Sequence, residues 1–278
     1  MNTSSIAYRI WAVRTLTFRE LKSLFLGFEV YVVATIVLLG SAAIVSSFLR
    51  SVSDVGLQVS AEPLLLPFCF AVVVFGLYLG LLATLTISRE RDRGTLEVLF
   101  YGPVDTLSYV AAKFVGSIAV YAITIFVTVV AFGVLSLTTS LALTGRLARV
   151  GILSIFSVST AISCGILLSS ITSKTRNSAI LFVLIMVGLG MVSLLEGYFT
   201  SLGQDVSGLG QNARVLIVWL GRGLDWLSPA AYVSRGIEAG RVGDTRMLVR
   251  GVIAPIVYTV FLLWLSVQAF KWKGVRTK

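Results

Sequence analysis

An all-α fold that crosses a bilayer six times is predicted by three observations on this 278-residue chain. Hydrophobic residues make up 56% of it and charged residues only 13%, with a mean hydropathy of +0.93, whereas soluble domains run nearer a quarter charged. Runs of some 20 apolar residues recur along it, each able to cross about 30 Å of hydrocarbon as a helix. The cations collect in the joints between those runs, where topology rules and anionic headgroups favour them.

The spans fall at 28–48, 63–87, 114–137, 150–171, 179–195 and 252–270. Residues 1–27 hold Arg9, Arg14, Arg19 and Lys22 with no uncharged apolar stretch before Phe28, so they read as retained rather than as a cleaved signal. Trp11, Phe18, Leu21 and Phe25 share a stripe at helical spacing, with Arg9, Arg19 and Glu20 roughly opposite. This describes an N-terminal helix lying on the inner membrane surface, its pattern spoiled by Arg14 and Lys22. With both termini cytoplasmic, 14 of the 23 Lys and Arg residues lie on inner segments and 9 on outer ones, which agrees with the positive-inside bias of a multi-pass cell-membrane protein.

Residues 196–251 form an outer segment. Its stretch "ARVLIVWLGRGLDWLSPAAYV" could be counted as a seventh span, but Arg222 and Asp225 would then sit near the bilayer centre, at roughly 2.5 to 3.5 kcal/mol each. It reads instead as short re-entrant or interfacial helices at 215–220 and around Trp226, anchored by Trp219, Trp226 and Tyr232, one of them ended by Pro229. No linker, repeat or low-complexity tract divides the chain, so 1–278 reads as one transmembrane domain.

Composition excludes several functions. The net charge is +10, but cations spread over the joints make no nucleic-acid footprint. Without histidine, Ser/His/Asp or Cys/His catalysis is impossible, and with two cysteines zinc, haem and iron–sulfur sites are excluded. Cys69 and Cys164 are expected about 10 Å apart in depth, too far for a disulfide. No G-x-x-x-x-G-K followed by Ser or Thr exists, so ATP chemistry would have to come from a partner. The candidate intramembrane carboxylates, Glu29 and Glu196, stand at span ends, which disfavours an ion-driven carrier. No catalytic, cofactor or metal site is expected in this chain.

The unusual segment is "SRERDRGTLEVLFYGPV", residues 88–104. After a span ending near Ile87, Arg89, Glu90, Arg91, Asp92 and Arg93 are expected in water, and Gly94 interrupts the helix. Residues 95–101 form only about two turns before Gly102-Pro103 stops them, and Asp105 is placed to cap the third span. A helix of about seven residues is not stable alone. With Leu96, Leu99 and Phe100 at i, i+3 and i+4, its apolar face needs a partner: either the chain's own helices or another subunit.

"ISRERDRGTLEVLFYGPV" resembles the joint between the second and third spans of type-2 ATP-binding-cassette permeases. "LSPAAYVSRGIEAGRVGDTRMLVRGVIAPIVYTVFLLWL" is similar to the outer segment and last span of the branch that contains the permease for nitrous-oxide-reductase maturation. The resemblance covers essentially the whole chain. It implies that 95–101 is a coupling helix seated in a separate cytoplasmic ATPase subunit that carries ATP and Mg, with Glu90, Arg91, Arg93, Gly94, Thr95, Leu96, Glu97, Leu99, Phe100, Gly102 and Pro103 as the coupling residues. It implies that Glu90 pairs with basic groups of the surface helix or of the ATPase, that Lys113 fills a frequent basic position at the foot of the third span, and that the assembly is an exporter with a second permease copy or paralogue. The alternative is an ATP-independent scaffold or passive pore whose charged turn packs on itself.

Small polar residues leave two readings open. Ser154, Ser157, Ser159, Thr160, Ser163, Cys164, Ser169 and Ser170 on the fourth span, and Tyr121, Thr124 and Thr128 on one face of the third, either line a translocation path, with Ser157 and Ser163 its candidates on the fourth span, or permit close helix packing. Gly76 and Gly80 form a G-x-x-x-G pair that reads as a helix contact.

Overall fold

The computed structural model describes residues 3–55, 63–96, 105–139, 145–201 and 228–272, together with Trp219, Gly223 and Trp226. Among these residues all regular structure is helical: α1 Thr3–Leu26, α2 Phe28–Val55, α3 Leu65–Asp92, α4 Thr106–Thr139, α5 Gly145–Ile171, α6 Thr175–Ser201, α7 Pro229–Val242 and α8 Thr245–Trp272. Helices α2, α3, α4, α5 and α8 are long and apolar enough to cross a membrane, and α6 carries a shorter apolar stretch, Thr175–Met191. The start of α2, the end of α3, the start of α4, the end of α5, the start of α6 and the end of α8 converge at one end of the bundle. These helices thus run alternately away from and back to that end, and α7 lies as a short helix before α8.

Helix α5 is the axis. Within its apolar window 78% of residues are buried, against 17% for α2 and α8, so its neighbours wrap it while the outer helices present apolar faces outward. Small residues make this possible, because without bulky side chains backbones approach closely. A Cβ on Gly165 would collide with the Gly80 carbonyl, and a Cβ on Gly76 would lie 3.0 Å from Val158. The G-x-x-x-G pair of α3 is therefore a contact within the chain. A second such pair, Gly236 and Gly240 on α7, lies against Ser157 and Val150 of α5.

The hydroxyls of α5 mostly bond their own helix, Ser154 to the Gly151 carbonyl at 2.7 Å, Ser157 to Leu153 at 3.2 Å and Ser163 to Thr160 at 2.9 Å. Ser159 crosses to Thr259 of α8 at 2.8 Å. These groups are satisfied without exposing polar surface to lipid, as the hydrocarbon requires.

Several expectations need correction. Helix α3 runs past the span end expected near Ile87 to Asp92 and breaks at Gly94, where the sequence places the interruption. Pro229, expected to end a helix, opens α7: it takes a first-turn position, where its missing N–H is no loss, and the Ala231 amide bonds the Ser228 hydroxyl at 3.3 Å. Tyr232 is no surface anchor, being 4% exposed. Its ring stacks on Tyr258 at 5.0 Å and its hydroxyl donates to the Trp226 carbonyl at 3.1 Å. Burial pushes that hydroxyl's pKa up, with Arg235 partly opposing, so it remains a donor at neutral pH. Trp219 and Trp226 are exposed, and both cysteines are free.

Helix α1 is packed on the side that the sequence pattern marks as polar. Trp11 and Phe18 are exposed, while Glu20 lies against α4, where a Cβ on Gly116 would stand 3.3 Å from its own Cβ. Leu21, Leu24 and Phe25 reach the main core from the flank.

Candidate functional site

Four consecutive residues at the end of α3 tie together most of the bundle. Helical spacing sends neighbours about 100° apart around the axis, so residues 89–92 point in four directions, and each meets a different helix.

Arg89 reaches Glu29 at the start of α2, at 3.9 Å with both side chains exposed. Such a pair contributes little in water. Glu90 points inward. Its Oε1 receives Lys113 Nζ of α4 at 2.6 Å and its Oε2 receives the Tyr109 hydroxyl. The same ammonium also bonds Glu20 of α1 and lies 5.6 Å from the centre of the Tyr109 ring. Lys113 is 7% exposed, Glu20 15% and Glu90 22%. One cation thus bridges two carboxylates in a largely dry site, where their attraction is stronger than at the surface.

Arg91 caps the end of α5. Its Nη1 donates to the carbonyls of Thr172 at 2.7 Å and Ser170 at 3.2 Å, two of the carbonyls that a helix C-terminus leaves without donors. Its guanidinium also covers Phe270 of α8 at 5.3 Å, and Phe270 meets the Tyr109 ring edge-on at 6.1 Å. Asp92 caps the start of α6: its Oδ2 accepts the Thr175 amide at 2.8 Å and the Thr175 hydroxyl. A carboxylate there also meets the positive end of the helix dipole. One turn earlier, buried Ser88 bonds Ser169 of α5 and Ser178 of α6, each at 2.7 Å.

Immediately beyond, Arg93 ends the helix and Gly94 takes φ +68°, a left-handed conformation that glycine adopts at no steric cost. Thr95 Oγ1 donates back to the Glu90 carbonyl at 3.0 Å. Leu96 is 4% exposed and joins the core cluster of this chain, so it anchors the start of the following segment to the bundle. Glu97, Leu99, Phe100, Gly102 and Pro103 lie outside the described residues. The chain returns at Asp105, whose Oδ1 accepts the Ser108 amide at 3.2 Å as the cap of α4.

The hub differs from its expected form in two respects. Residues 89–92 are not simply solvated charges. Among the described residues Glu90 is paired by Lys113 of α4, and α1 contributes Glu20 on the other side of that cation. The sequence reading missed Glu20, Tyr109, Thr175, Ser178 and Phe270. Two signals were present: Glu20 is the single acid of residues 1–27, and Tyr109 lies one helical turn before Lys113.

The five residues suggested for a translocation path are enclosed between helices. Tyr121, Ser157 and Ser163 are 0% exposed, Thr128 4% and Thr124 9%. Thr124 and Thr128 bond carbonyls of α4 at 2.8 to 3.0 Å. Among the described residues the buried Tyr121 hydroxyl meets no hydrogen-bond partner of good geometry. In this conformation these positions are packed between helices. Among the described residues no group of three or more Cys, Asp or Glu side chains could hold a metal ion.

A search among curated proteins returned no match. A comparison with protein families matches residues 57–271 to the ABC-2 family transporter protein, a stretch that contains the hub residues of α3, the caps on α5 and α6, and nearly all of α8. With apolar helices of spanning length folded around α5 and a family match over most of its length, the chain belongs to the ABC-2 transporter family, as a multi-pass membrane permease.

Proposed function

We propose that this chain is the membrane half of an ATP-driven exporter and that residues 89–92 are where force from a separate ATPase subunit enters the bundle. The carrying observation is the position of the hub: it directly precedes Gly94 and the segment 95–103, and joins that segment's root to α1, α2, α4, α5, α6 and α8. A partner that binds ATP and Mg and pushes on 95–103 would move those helices together rather than one at a time. Six spans, with α6 as the fifth, put both ends of the chain on the hub side, and the excess of Lys and Arg on those segments favours the cytoplasm for that side. A second permease copy or a paralogue would complete the pathway, and similarity in the last span favours the branch of the nitrous-oxide-reductase maturation permease.

Leu96 supports a competing reading, since its burial in the chain's own core is what a turn that packs on itself would show. Co-purification in mild detergent separates the two. The exporter reading requires a soluble protein with a phosphate-binding loop to accompany the wild-type chain and to be lost with Leu99→Asp. If no such protein is recovered with or without ATP, an ATP-independent scaffold or pore becomes the better account.

A further inference from the structure

A cavity of about 450 Å³ lies between α7 and the start of α8, lined by Trp226, Tyr232, Arg235, Glu238, Arg250 and Pro255 among others. This is within the usual range for small-ligand sites, roughly 300 to 1,000 Å³. It stands at the far end of the bundle from the hub. Arg250 and Phe270, which touches the hub, are 20 residues apart on α8, about 30 Å along a helix and so about one hydrocarbon thickness. The cavity therefore lies at the opposite headgroup level.

Its chemistry is that of a site for an acidic amphiphile. Among the described lining residues there are two guanidinium groups and one carboxylate, and the Arg250 guanidinium forms no ion pair with any of the described residues. A cationic ligand would find no aromatic cage. The Arg235 guanidinium already covers Trp226 and Tyr232, at 5.5 and 5.7 Å, and Tyr258 stacks on Tyr232. Apolar Met247, Ala254 and Pro255 continue the wall, and Ile253, Ile256 and Val257 beside them are exposed on the outward face of α8. An acyl chain can leave the cavity directly into the lipid layer.

We propose that this cavity binds an acidic phospholipid-like amphiphile, with its phosphate at Arg250 and its chain along Met247, Ala254 and Pro255. The inference does not depend on ATP coupling. Its test uses full-length protein that keeps Trp226 and carries Phe at the other four tryptophans, in nanodiscs containing brominated phosphatidylglycerol or brominated phosphatidylcholine. Phosphatidylglycerol should quench Trp226 at the lower mole fraction, and Arg250→Gln should weaken that preference roughly tenfold, the equivalent of one charge-assisted hydrogen bond. Dodecyl phosphate added to the phosphatidylglycerol discs distinguishes the source: relief of quenching identifies an exchangeable, cargo-like amphiphile, and its absence a resident bilayer lipid. Mass spectrometry of lipid retained by the wild-type and Arg250→Gln proteins gives the same comparison without the tryptophan changes. Equal quenching and equal retention of the two lipids, unmoved by Arg250→Gln, would overturn the proposal.

Discussion

Lys113 Nζ stands 2.6 Å from Glu90 Oε1 and is held by Glu20 on its other side, so one ammonium on α4 is the only described cation between the acids of α1 and α3. Removing it leaves two carboxylates facing one another in a site with little water. Lys113→Met should therefore destabilise the protein by about 3 kcal/mol, because a buried charge without its partner is worse than no pair at all. In a chain of this size that corresponds to a melting point lower by roughly 6 to 10 °C. Glu20→Gln should cost clearly less, since Lys113 keeps Glu90. Thermal unfolding in one detergent compares the three proteins, and equal melting points would show that the bridge carries no net stability.

Arg91→Lys tests whether geometry or charge matters at the cap of α5. A guanidinium reaches two carbonyls and covers the Phe270 ring together, whereas a compact ammonium cannot keep all three contacts. Exchange of amide protons at the end of α5 should speed up by about tenfold, the effect of one lost hydrogen bond to a charged donor, while the middle of α5 stays protected. Unchanged exchange at 168–172 would remove Arg91 from the cap.

The fold was legible where hydrophobic length speaks and less so where partners decide. Apolar runs located α2 to α6 and α8 because the bilayer demands a fixed length of them. The partners of the charged turn were not legible: Arg89 to Asp92 read as solvated, since a sequence shows a charge but not the helix terminus or opposite charge waiting for it. Glu20 was placed correctly opposite Trp11 and Phe18, and the mistake was to take the polar side of α1 as its free side. Pro229 shows the same limit, because proline both stops helices and starts them and only the Ser228 cap tells which. For the hub, residue types were visible at 89–92, but the long-range partners 80 or so positions away, such as Thr175 and Ser169, leave no local trace.

Two glycines should respond in opposite directions to the same methyl group. A Cβ on Gly165 would collide with the backbone of α3, while nothing lies within 4 Å of one on Gly133. Gly165→Ala should destabilise by about 1 to 3 kcal/mol through overpacking, and Gly133→Ala should stabilise α4 by about 0.5 to 1 kcal/mol through helix propensity. Melting points that fall with both changes would mean that α4 owes nothing to propensity at that point, and points that fall with neither would mean that α3 and α5 can separate freely.

Gly94 separates the stability of the bundle from its proposed coupling role. Its φ of +68° and the absence of any described atom within 4 Å of a Cβ placed there mean that a side chain there meets strain but no collision with the described residues. Gly94→Ala should cost only about 1 kcal/mol in the left-handed region, and Gly94→Asn less, because asparagine tolerates that conformation. Alanine can escape the strain by rotating φ to negative values, which would re-aim everything from Thr95 onward while the hub at 89–92 stays intact. The expected result is a Gly94→Ala protein that inserts and melts nearly as the wild type but fails to stimulate ATP hydrolysis by its partner, with Gly94→Asn largely restoring stimulation. Full stimulation by Gly94→Ala would mean that the direction in which the chain leaves α3 is immaterial to coupling.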